Sequence, residues 1–443
     1  MSGQTPSLAV LVLAAGQGTR MKSDLAKVLH PIAGRPMLAY VLDAARALSP
    51  ARLVTLVGRD ADAVREAFRG RSEFVVQAEQ RGTGHAVLET QAALQGFRGD
   101  VLILYGDTPL LRAETLERLL AVRAAGADLA LVSAPVAVPG IVVRDARGGV
   151  ARIVEATDAT PEELAIGERN TGVYALGSEL LWKMLARVGD QNAQGEIYLT
   201  SIVELAVGEG LRVEALRLDD GEEALGINTR AELAQACEIV RRRIALRHML
   251  GGVTLVDPER TYLDWDVEIG RDSLVEPGCT IQGATRIGER AHLKPGCVVE
   301  SSRLGDDVVI GPHAHLRPGT VLGRGVRIGN FVEVKNSVLG DGVKADHLAY
   351  IGDAEVGEDA SFGCGAIVVN YDWNTKHRTV VGARARIGCN ANLVAPVRIA
   401  ADAAVAAGST ITRDVPEGAL AVGRSREQSH VEGWMTRHRN RKS

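Results

Sequence analysis

An aliphatic residue recurs at every sixth position through the C-terminal part of this 443-residue chain. A small residue, most often glycine, follows many of these positions, as in Ile287-Gly288 and Ile328-Gly329. A six-residue period fits neither the face of an α-helix nor the alternation of a single strand. It is typical of a parallel β-helix, in which each short strand points one aliphatic side chain into a shared core. The aliphatic positions, with occasional slips of one residue, include Ile269, Val275, Ile281, Ile287, Leu293, Leu304, Ile310, Leu316, Leu322, Ile328, Val334, Ile351, Val356, Phe362, Val368, Val381, Ile387, Leu393, Ile399, Val405 and Ile411.

Composition excludes several classes of function. The formal net charge is −4, so the sequence predicts no general attraction to nucleic acid. The apolar run Leu8–Ala15 is too short to span a bilayer and lacks a basic flank, which indicates a buried strand and no membrane insertion. The five cysteines are odd in number and form no CxxC pair, so neither a disulfide framework nor a zinc site is expected. We therefore expect a cytoplasmic protein.

The N-terminal half alternates apolar strands with amphipathic helical stretches, which predicts an α/β domain with a mostly parallel, Rossmann-like sheet. Ligands of such sheets bind at the carboxyl ends of the strands. The segment from Thr229 to Leu250 contains no Gly or Pro and predicts one long connecting helix. We expect a first domain over 1–228, a linker helix over 229–250 and the β-helix over 251–443. The predicted strands are Leu8–Leu13, Leu53–Val57, Phe74–Gln77, Val101–Tyr105 and Leu129–Val132, and the predicted helices between them are Met37–Leu48, Ala61–Arg69, Gly84–Leu94 and Ala113–Ala124.

The first predicted strand ends in a glycine-rich turn that is followed by two cations. Glycines allow backbone N–H groups to approach phosphate oxygens, and Arg20 and Lys27 can neutralise the phosphate charge. The turn is not the dinucleotide fingerprint, because Met21 stands where a third glycine is expected. The pattern favours phosphate binding over a polar turn with surface cations. The turn reads Leu13-Ala14-Ala15-Gly16-Gln17-Gly18-Thr19-Arg20-Met21.

Polar residues near the ends of later strands extend this candidate site. Asp107 closes an apolar strand, where a carboxylate can bind Mg²⁺ that carries a triphosphate; the alternative is an Asp that caps the next helix. The other candidates would be unremarkable alone, since a loop Asn or Glu is usually solvated or capping. They are the phrase Gln77-Ala78-Glu79-Gln80-Arg81-Gly82-Thr83-Gly84-His85, Glu155, Asn170-Thr171-Gly172 and Asn228.

Residue types suited to catalysis concentrate in one part of the predicted β-helix, between residues 317 and 376. His347 lies where the six-residue register slips, and histidine is the side chain best suited to act as a base near neutral pH. The rhythm then breaks at Val369–Lys376, an insertion that must loop out of the β-helix. A lone histidine on a β-helix is usually a surface residue, which is our interpretation of His292, His313 and His315.

Together with the hexads, these phrases resemble the bacterial family of bifunctional N-acetylglucosamine-1-phosphate uridylyltransferases/glucosamine-1-phosphate N-acetyltransferases, from about Leu8 to Arg426. The resemblance implies that the N-terminal domain transfers uridylyl from UTP to N-acetylglucosamine 1-phosphate with Mg²⁺. It implies catalytic roles for Arg20 and Lys27, and ligation of Mg²⁺ by Asp107 and Asn228. The implied nucleotide-binding residues are Leu13, Ala14, Ala15, Gly16, Lys27, Gln77, Gly82, Thr83, Tyr105, Gly106 and Asp107, and the implied sugar-binding residues are Gly140, Glu155, Asn170 and Asn228.

The six-residue array resembles the hexapeptide acyltransferases, which are left-handed β-helices with active sites between neighbouring subunits of a trimer. The resemblance implies N-acetylation of glucosamine 1-phosphate by acetyl-CoA, with His347 as the base and Glu333 orienting its imidazole. We expect a homotrimer, because the loop at 369–380 has too few hexad contacts to order itself alone and should bring Tyr371 and Lys376 to a neighbouring subunit. The implied sugar-phosphate site is Arg317, Lys335, Tyr350, Ser361, Asn370 and Lys376, and the implied acetyl-CoA site is Cys364, Asn370, Tyr371, Cys389, Ala407 and Arg424.

Three positions depart from the family pattern. Pro139-Gly140-Ile141-Val142 stands where the family commonly carries Tyr-Gly-Arg-Ile, so the glycine is kept while the aromatic residue and the cation are absent. Ser361 replaces a frequent Asn, and Cys389 replaces a frequent Ser. Cys364 and Cys389 are interpreted as small apolar corner residues rather than acyl-carrying nucleophiles.

Two other functions fit parts of the sequence. A nucleotidylyltransferase with a regulatory or oligomerising β-helix, similar to glucose-1-phosphate adenylyltransferases, would not need the phrases His347–Tyr350 and Asn370–Lys376. A scaffold that only binds a nucleotide sugar would not need Lys27 together with Asp107 and Asn228. The basic tail from 437 to 442 predicts a solvated terminus.

Overall fold

The structure, a computed structural model, describes residues 7–58, 60–136 and 138–424, so the basic tail lies outside the described residues. Contacts divide the chain into two compact units, Met1–Val240 and Arg241–Ser443. Among the described residues, no helix combines the length and the apolar character needed to cross a membrane.

The first unit is built on a mixed sheet of nine strands. They are β1 (Leu8–Ala14), β4 (Arg52–Val57), β5 (Glu73–Val76), β6 (Asp100–Tyr105), β7 (Leu129–Ala134), β8 (Gly140–Arg144), β9 (Val150–Glu155), β10 (Arg169–Gly177) and β11 (Val213–Arg217), while β2 (Pro31–Ile32) and β3 (Arg35–Pro36) form a separate antiparallel pair. The main order is β11-β7-β10-β6-β1-β4-β5, and β8 pairs with β10 and β9. Strands β6, β1, β4 and β5 run parallel and β10 runs antiparallel, which confirms the predicted mostly parallel sheet.

Strand β1 is buried on both faces, as its continuous apolar sequence predicts. Its partner on one side is β6, with Leu13 opposite Tyr105. Its partner on the other side is β4, with Ala14 opposite Val57. Since these strands are parallel, the turn after β1 and the residues after β6 meet at one edge of the sheet.

The helices are α1 (Met37–Ala47), α2 (Ala61–Ala67), α3 (Thr83–Leu88), α4 (Ala113–Ala124), α5 (Pro161–Leu164), α6 (Ser178–Leu185), α7 (Ser201–Gly208) and α8 (Arg230–Leu250). The prediction of one helix over 84–94 is wrong, because α3 ends at Leu88 and a separate 3-10 turn spans Ala92–Leu94. Beyond Leu88 the N–H groups of Thr90 and Gln91 donate to the carbonyls three residues back, and the hydroxyl of Thr90 also donates to the carbonyl of Val87 at 2.6 Å. The long predicted helix is present as α8.

The second unit has three parallel sheets, in which each strand pairs with the strand three further along the chain, except that β36 pairs with β38 at the end of the first sheet. Face 1 contains β12 (Thr254–Leu255), β15 (Leu274–Val275), β18 (His292–Leu293), β21 (Val309–Ile310), β24 (Arg327–Asn330), β27 (Lys344–His347), β30 (Ser361–Phe362), β33 (Arg386–Ile387), β36 (Ala404–Val405) and β38 (Leu420–Ala421). Face 2 contains β13 (Tyr262–Leu263), β16 (Thr280–Gln282), β19 (Val298–Glu300), β22 (His315–Leu316), β25 (Glu333–Lys335), β28 (Tyr350–Gly352), β31 (Ile367–Val369), β34 (Asn392–Val394) and β37 (Thr410–Ile411). Face 3 contains β14 (Glu268–Ile269), β17 (Arg286–Ile287), β20 (Arg303–Leu304), β23 (Val321–Leu322), β26 (Val338–Leu339), β29 (Ala354–Val356), β32 (Thr379–Val381) and β35 (Val397–Ile399).

These three faces enclose one aliphatic core, as the six-residue period predicts. Val275, Leu293, Ile310 and Ile328 are all fully buried on face 1, one above the other. The unit is a left-handed parallel β-helix of hexapeptide repeats. The predicted insertion is the connection between β31 and β32, which leaves the regular coil.

Candidate active sites

The first unit contains a cavity of about 270 Å³ at the carboxyl ends of β1, β4, β5 and β6. Most of the residues predicted to bind nucleotide line it: Leu13, Ala14, Ala15, Gly16, Lys27, Gln77, Gly82, Thr83, Tyr105 and Asp107. The remaining lining residues, which the predicted nucleotide-binding set does not include, are Val28, Leu56, Gln80, Ala86 and Glu196. The cavity therefore combines a glycine-containing turn, a buried lysine and a carboxylate.

Lys27 joins the two residues predicted to bind metal. Its Nζ lies 2.5 Å from Asp107 Oδ2 and 3.1 Å from Asn228 Oδ1. The carboxylate and the amide oxygen thus converge on one cationic centre, although Asp107 and Asn228 are far apart in sequence. The backbone supports this arrangement, because the N–H of Ile227 donates to the carbonyl of Asp107 at 2.9 Å.

Two glycines allow close approach of backbone and side chains at this site. Gly18 has a φ of 62°, and a Cβ there would lie 2.7 Å from the Cβ of Lys27. Gly172 has a φ of 83°, and a Cβ there would collide with the ring of Tyr105. A larger residue at either position would displace Lys27 or Tyr105.

Three of the four predicted sugar-binding residues lie together on the antiparallel part of the sheet. Gly140 is opposite Glu155 in the β8–β9 pair, and a Cβ on Gly140 would lie 3.2 Å from Asn170. The carboxylate of Glu155 accepts a hydrogen bond from Thr200 at 3.2 Å. Burial raises the pKa of Glu155, and the nearby carboxylates of Asp158 and Glu196 act in the same direction. The fourth predicted residue, Asn228, lies with Lys27.

Two predicted residues stand apart from the cavity lining. Gly106 is buried, and a Cβ there would lie 2.9 Å from Ala14, so it serves the close contact of β6 with β1. Arg20 is exposed on the 3-10 turn Thr19–Met21. Neither residue is among the described residues that line the cavity, so their proposed roles rest on the family resemblance.

The missed residues had weaker sequence signals. Gln80 lies within the phrase that was singled out, and its amide donates to the carbonyl of Ala15 at 2.6 Å, closing the cavity beside the first turn. Glu196 belongs to a loop without a recognisable motif. That loop returns to the site because the N–H of Gly84 donates to the carbonyl of Ile197 at 2.7 Å.

In the second unit, predicted catalytic and acetyl-CoA residues form one row along the corner that follows face 1. His347 is opposite Asn330 in the β24–β27 pair. Ala345, two residues before His347, is opposite Phe362, two residues before Cys364. The N–H of Asn390, next to Cys389, donates to the carbonyl of Cys364 at 2.8 Å. The row then passes through Ala407 to Arg424, whose guanidinium donates to the carbonyl of Ala407 at 2.6 Å. We call His347, Cys364, Cys389, Ala407 and Arg424 the corner row.

The hydrogen-bond partner of His347 differs from the prediction. Nδ1 of His347 lies 2.8 Å from Oδ1 of Asn330, whereas Glu333 accepts from Arg317 at 2.8 Å. The prediction that Glu333 orients this imidazole is wrong within one chain, because Glu333 begins a face 2 strand while His347 ends a face 1 strand. Asn330 precedes His347 by one coil of the β-helix, so the two residues are opposite each other in neighbouring strands. This spacing could have identified Asn330 as the partner of His347 from the sequence.

Most of the predicted sugar-phosphate residues form a cluster on face 2. Lys335 Nζ lies 3.7 Å from Asp353 Oδ2, and Asn370 donates to the same carboxylate. Burial opposes ionisation of Asp353, but hydrogen bonds from Asn336 and Asn370 and the nearby lysines lower its pKa. The ammonium of Lys335 also lowers the pKa of the neighbouring Lys376. We call Arg317, Lys335, Tyr350, Asp353, Asn370 and Lys376 the face 2 cluster.

The insertion loop makes several contacts within its own chain. The side chain of Asp372 accepts from the N–H groups of Asn374 and Thr375, at 3.0 and 2.7 Å. Tyr371 pairs with Lys376 in a short antiparallel bridge. Lys376 thereby approaches Lys335 of its own chain, and the side chains of Tyr371 and Trp373 are exposed.

Ser361 lies away from the face 2 cluster. It starts β30 on face 1, between Lys344 and Arg386 in the strand register, and its hydroxyl accepts from Arg386 at 3.1 Å. The structure of one chain therefore does not bring Ser361 together with the other predicted sugar-phosphate residues.

The described residues contain no group of three or more His, Cys, Asp or Glu side chains that could hold a metal ion. All five cysteines are free.

Comparison with known proteins gives two family matches. Residues 10–191 match the MobA-like NTP transferase domain, and residues 301–336 match the bacterial transferase hexapeptide family. Among curated relatives, the bifunctional protein GlmU of Pelobacter propionicus is 49% identical over 97% of this chain and 98% of the relative. That of Trichlorobacter lovleyi is 47% identical over 98% and 99%, and that of Listeria monocytogenes serotype 4b is 45% identical over 95% and 96%. This chain belongs to the bifunctional GlmU family.

Proposed function

We propose that the two units catalyse consecutive steps of UDP-N-acetylglucosamine synthesis. The chain is a bifunctional transferase with an acetyltransferase and a nucleotidyltransferase activity. The β-helix transfers acetyl from acetyl-CoA to the amine of glucosamine 1-phosphate. The first unit then transfers uridylyl from UTP to N-acetylglucosamine 1-phosphate and releases pyrophosphate.

The observation that carries the nucleotidyl transfer is the convergence of Lys27, Asp107 and Asn228 at the cavity. A phosphate oxygen of the sugar substrate attacks the α-phosphorus of UTP, and the bond to pyrophosphate breaks. This step needs no covalent protein nucleophile, because positioning and charge neutralisation supply the catalysis. Lys27 is nearly buried, so its charge acts on the phosphates with little screening by water.

The oxygens of Asp107 and Asn228 fit a Mg²⁺ ion, because both already aim at one cationic centre, Nζ of Lys27. Mg²⁺ usually takes only one or two protein ligands and completes its shell with water and substrate phosphates. Asp107 and Asn228 would hold the ion, and it would neutralise charge on the triphosphate. Lys27 is then free to turn towards a phosphate oxygen.

His347 is the proposed base of the acetyl transfer. Because the amide oxygen of Asn330 accepts from Nδ1, that nitrogen carries the proton, and Nε2 of the neutral ring is left as the acceptor. Nε2 takes a proton from the amine as its nitrogen attacks the thioester carbonyl. The bond from carbonyl carbon to sulfur breaks, and coenzyme A leaves as the thiol after protonation.

The corner row suits the long acetyl-CoA arm. Four coil steps separate His347 from Arg424, and adjacent parallel strands lie about 4.8 Å apart, so the row extends for roughly 19 Å. The thioester would lie at the His347 end. Arg424 at the other end would meet the negatively charged part of coenzyme A.

The face 2 cluster is the proposed binding site for the phosphate of glucosamine 1-phosphate. Lys335 and Lys376 are two like charges held close together, and a phosphate dianion between them would relieve their repulsion. Arg317 adds a third cation, which is balanced by Glu333 in the free protein. Tyr350 and Asn370 would contact the sugar.

We propose a homotrimer, in which the face 2 cluster of one copy completes the corner row of another. Within one chain, Lys335 ends a face 2 strand and Asn370 follows one, whereas His347 ends a face 1 strand, so they belong to different faces of the β-helix. Two exposed apolar side chains lie beside His347 and its partner. Phe331, which follows Asn330, is 58% exposed, and Leu348, which follows His347, is 56% exposed. Covering these side chains with a second copy would remove apolar surface from water.

We further propose 1–228 as the uridylyltransferase domain, 229–250 as a linker helix and 251–443 as the acetyltransferase domain. The cap at the start of α8 supports a junction here, since the carboxylate of Glu232 accepts from the N–H groups of Asn228 and Thr229, at 2.7 and 2.8 Å.

The direct test supplies purified protein with acetyl-CoA, glucosamine 1-phosphate, UTP and Mg²⁺. Free thiol and pyrophosphate are measured separately. Thiol should require only glucosamine 1-phosphate and acetyl-CoA, whereas pyrophosphate should require these two substrates together with UTP and Mg²⁺. Glucosamine 1-phosphate with acetyl-CoA alone should release thiol but no pyrophosphate. Absence of either product from the wild-type protein would remove the corresponding half of the proposal.

A further inference from the structure

Gln77 meets the nucleotide cavity with an amide whose two ends have opposite hydrogen-bonding character. It follows β5 directly, its backbone N–H donates to the carbonyl of Val57 at 2.8 Å, and the residue is 7% exposed. Its backbone is therefore fixed, but the side-chain amide could in principle present either oxygen or nitrogen to a ligand. A neighbouring group must therefore determine whether the oxygen or the nitrogen of this amide faces the cavity.

His85 lies behind Gln77 on α3 and contacts the amide. Nδ1 of His85 lies 3.4 Å from Nε2 of Gln77, while Nε2 of His85 lies 3.3 Å from a carboxylate oxygen of Glu89, one helical turn further on. A carboxylate can only accept, so this contact favours the tautomer of His85 that carries the proton on Nε2. Nδ1 of the neutral ring is then an acceptor and holds the NH₂ end of Gln77.

The oxygen of the Gln77 amide is consequently left to face the ligand as an acceptor. Uracil has an N–H donor at ring position N3, whereas cytosine has an unprotonated N3 that is itself an acceptor. An inward-facing amide oxygen pairs with the first base and repels the second. A site built around such a hydrogen bond discriminates strongly, because the wrong ligand leaves a buried polar group unpaired.

We infer that Glu89 and His85 act as positioning residues that fix the Gln77 amide and thereby select uracil over cytosine. The chain of contacts runs from Glu89 through His85 to Gln77. Of these three residues, only Gln77 would contact the base. The inference rests on the proposed function, since it assumes that the pyrimidine of the nucleotide lies against Gln77.

The test measures kcat/KM for UTP and for CTP, by pyrophosphate release, in the full-length protein. His85→Leu removes the acceptor and lets the amide turn, so the UTP-to-CTP ratio should fall by about 10-fold or more. Glu89→Gln keeps an acceptor oxygen and should stay near the wild-type ratio, whereas Glu89→Leu should lower it. His292→Leu is the matched control, because it removes a histidine that has a glutamate partner, Glu276, at 2.6 Å on the β-helix.

A double-mutant comparison separates positioning from general damage. In a Gln77→Ala background the amide is gone, so His85→Leu should cause no further change in the UTP-to-CTP ratio. Thermal melting of the same preparations reports on the folding of the first unit, which contains both substitutions. An unchanged ratio in His85→Leu, or an equal fall of the ratio with and without Gln77, would overturn the inference while leaving the proposed function intact. A wild-type protein that releases no pyrophosphate from UTP would instead overturn the proposed function and this inference together.

Discussion

His347 and Asn330 lie in adjacent coils of the β-helix, with Nδ1 of the imidazole 2.8 Å from the amide oxygen. This single hydrogen bond decides which ring nitrogen is available as a base. It also fixes the imidazole at an exposed corner, where few other contacts restrain it.

Asn330→Leu should therefore lower the turnover of acetylation by about 10–100-fold, the usual cost of losing a partner that orients a functional histidine. Asn330→Asp keeps an acceptor oxygen and should retain more activity than the leucine variant. Steady-state release of coenzyme A thiol measures both. Equal turnover in Asn330→Leu and wild type would show that Asn330 does not orient the base.

Asp107→Asn tests the proposed metal ligand. Loss of the only charged ligand should reduce pyrophosphate release by roughly 10²-fold or more, because charge neutralisation is the main catalytic contribution at this site. Acetyl transfer, which needs no metal in this scheme, should be unchanged. Asp100→Asn, at the opposite end of the same strand, is the matched control and should keep uridylyl transfer. Equal loss of both activities in Asp107→Asn would make Asp107 a structural residue.

Glu155→Gln should separate stability from sugar binding. Burial raises the pKa of Glu155 above its ordinary value of 4.5, so its stabilising contribution is complete at acidic pH and is lost as pH rises through the raised pKa. The neutral glutamine avoids this loss, so the variant should melt a few degrees above wild type at about pH 8, with a smaller gap at about pH 5. Its KM for N-acetylglucosamine 1-phosphate should rise, because an acceptor charge is removed.

Scanning calorimetry across this pH range gives the first result, and initial rates give the second. A melting gap that is the same at both pH values would mean that Glu155 does not titrate as its burial implies. An unchanged KM would remove Glu155 from the sugar site.

Mixing two inactive variants tests whether the acetyl site is shared between copies. His347→Ala damages the corner row and Lys335→Ala damages the face 2 cluster, so neither should acetylate well alone. Co-refolded mixtures should regain part of the activity, because some sites would combine an intact row with an intact cluster. Mixtures that stay as inactive as the separate variants, with normal trimers in sedimentation, would place the whole site within one chain.

The β-helix was predictable from sequence because its period is a direct consequence of its geometry. Each hexad places one aliphatic residue inward, and Val275, Ile281 and Leu316 are all fully buried. In contrast, α3 ends early where the N–H groups of Thr90 and Gln91 donate three residues back and the Thr90 hydroxyl shares the Val87 carbonyl. Local competition of this kind leaves no periodic signal.

The structure brings most of the predicted site residues together, but their hydrogen-bond partners could not be predicted from the sequence. The residues predicted to bind nucleotide lie in short continuous segments at the ends of strands, so the geometry of the parallel sheet brings them together. The partner of His347 depends on the register between coils. Asn330 ends a strand of face 1, as His347 does, whereas Glu333 begins a strand of face 2, so Asn330 is the partner. Glu196 lies in a long loop that contacts the first site, and the residue pattern of this loop does not predict that contact.

The central claim, two separate sites that act in sequence, is tested most directly by crossing two variants. His347→Ala should lower acetylation by roughly 10²–10⁴-fold and leave uridylyl transfer intact, while Asp107→Asn should do the reverse. When the two variants are mixed after assembly with acetyl-CoA, glucosamine 1-phosphate, UTP and Mg²⁺, UDP-N-acetylglucosamine should form, because N-acetylglucosamine 1-phosphate diffuses between them. Loss of both activities in either folded variant, or no product from the mixture, would contradict the account.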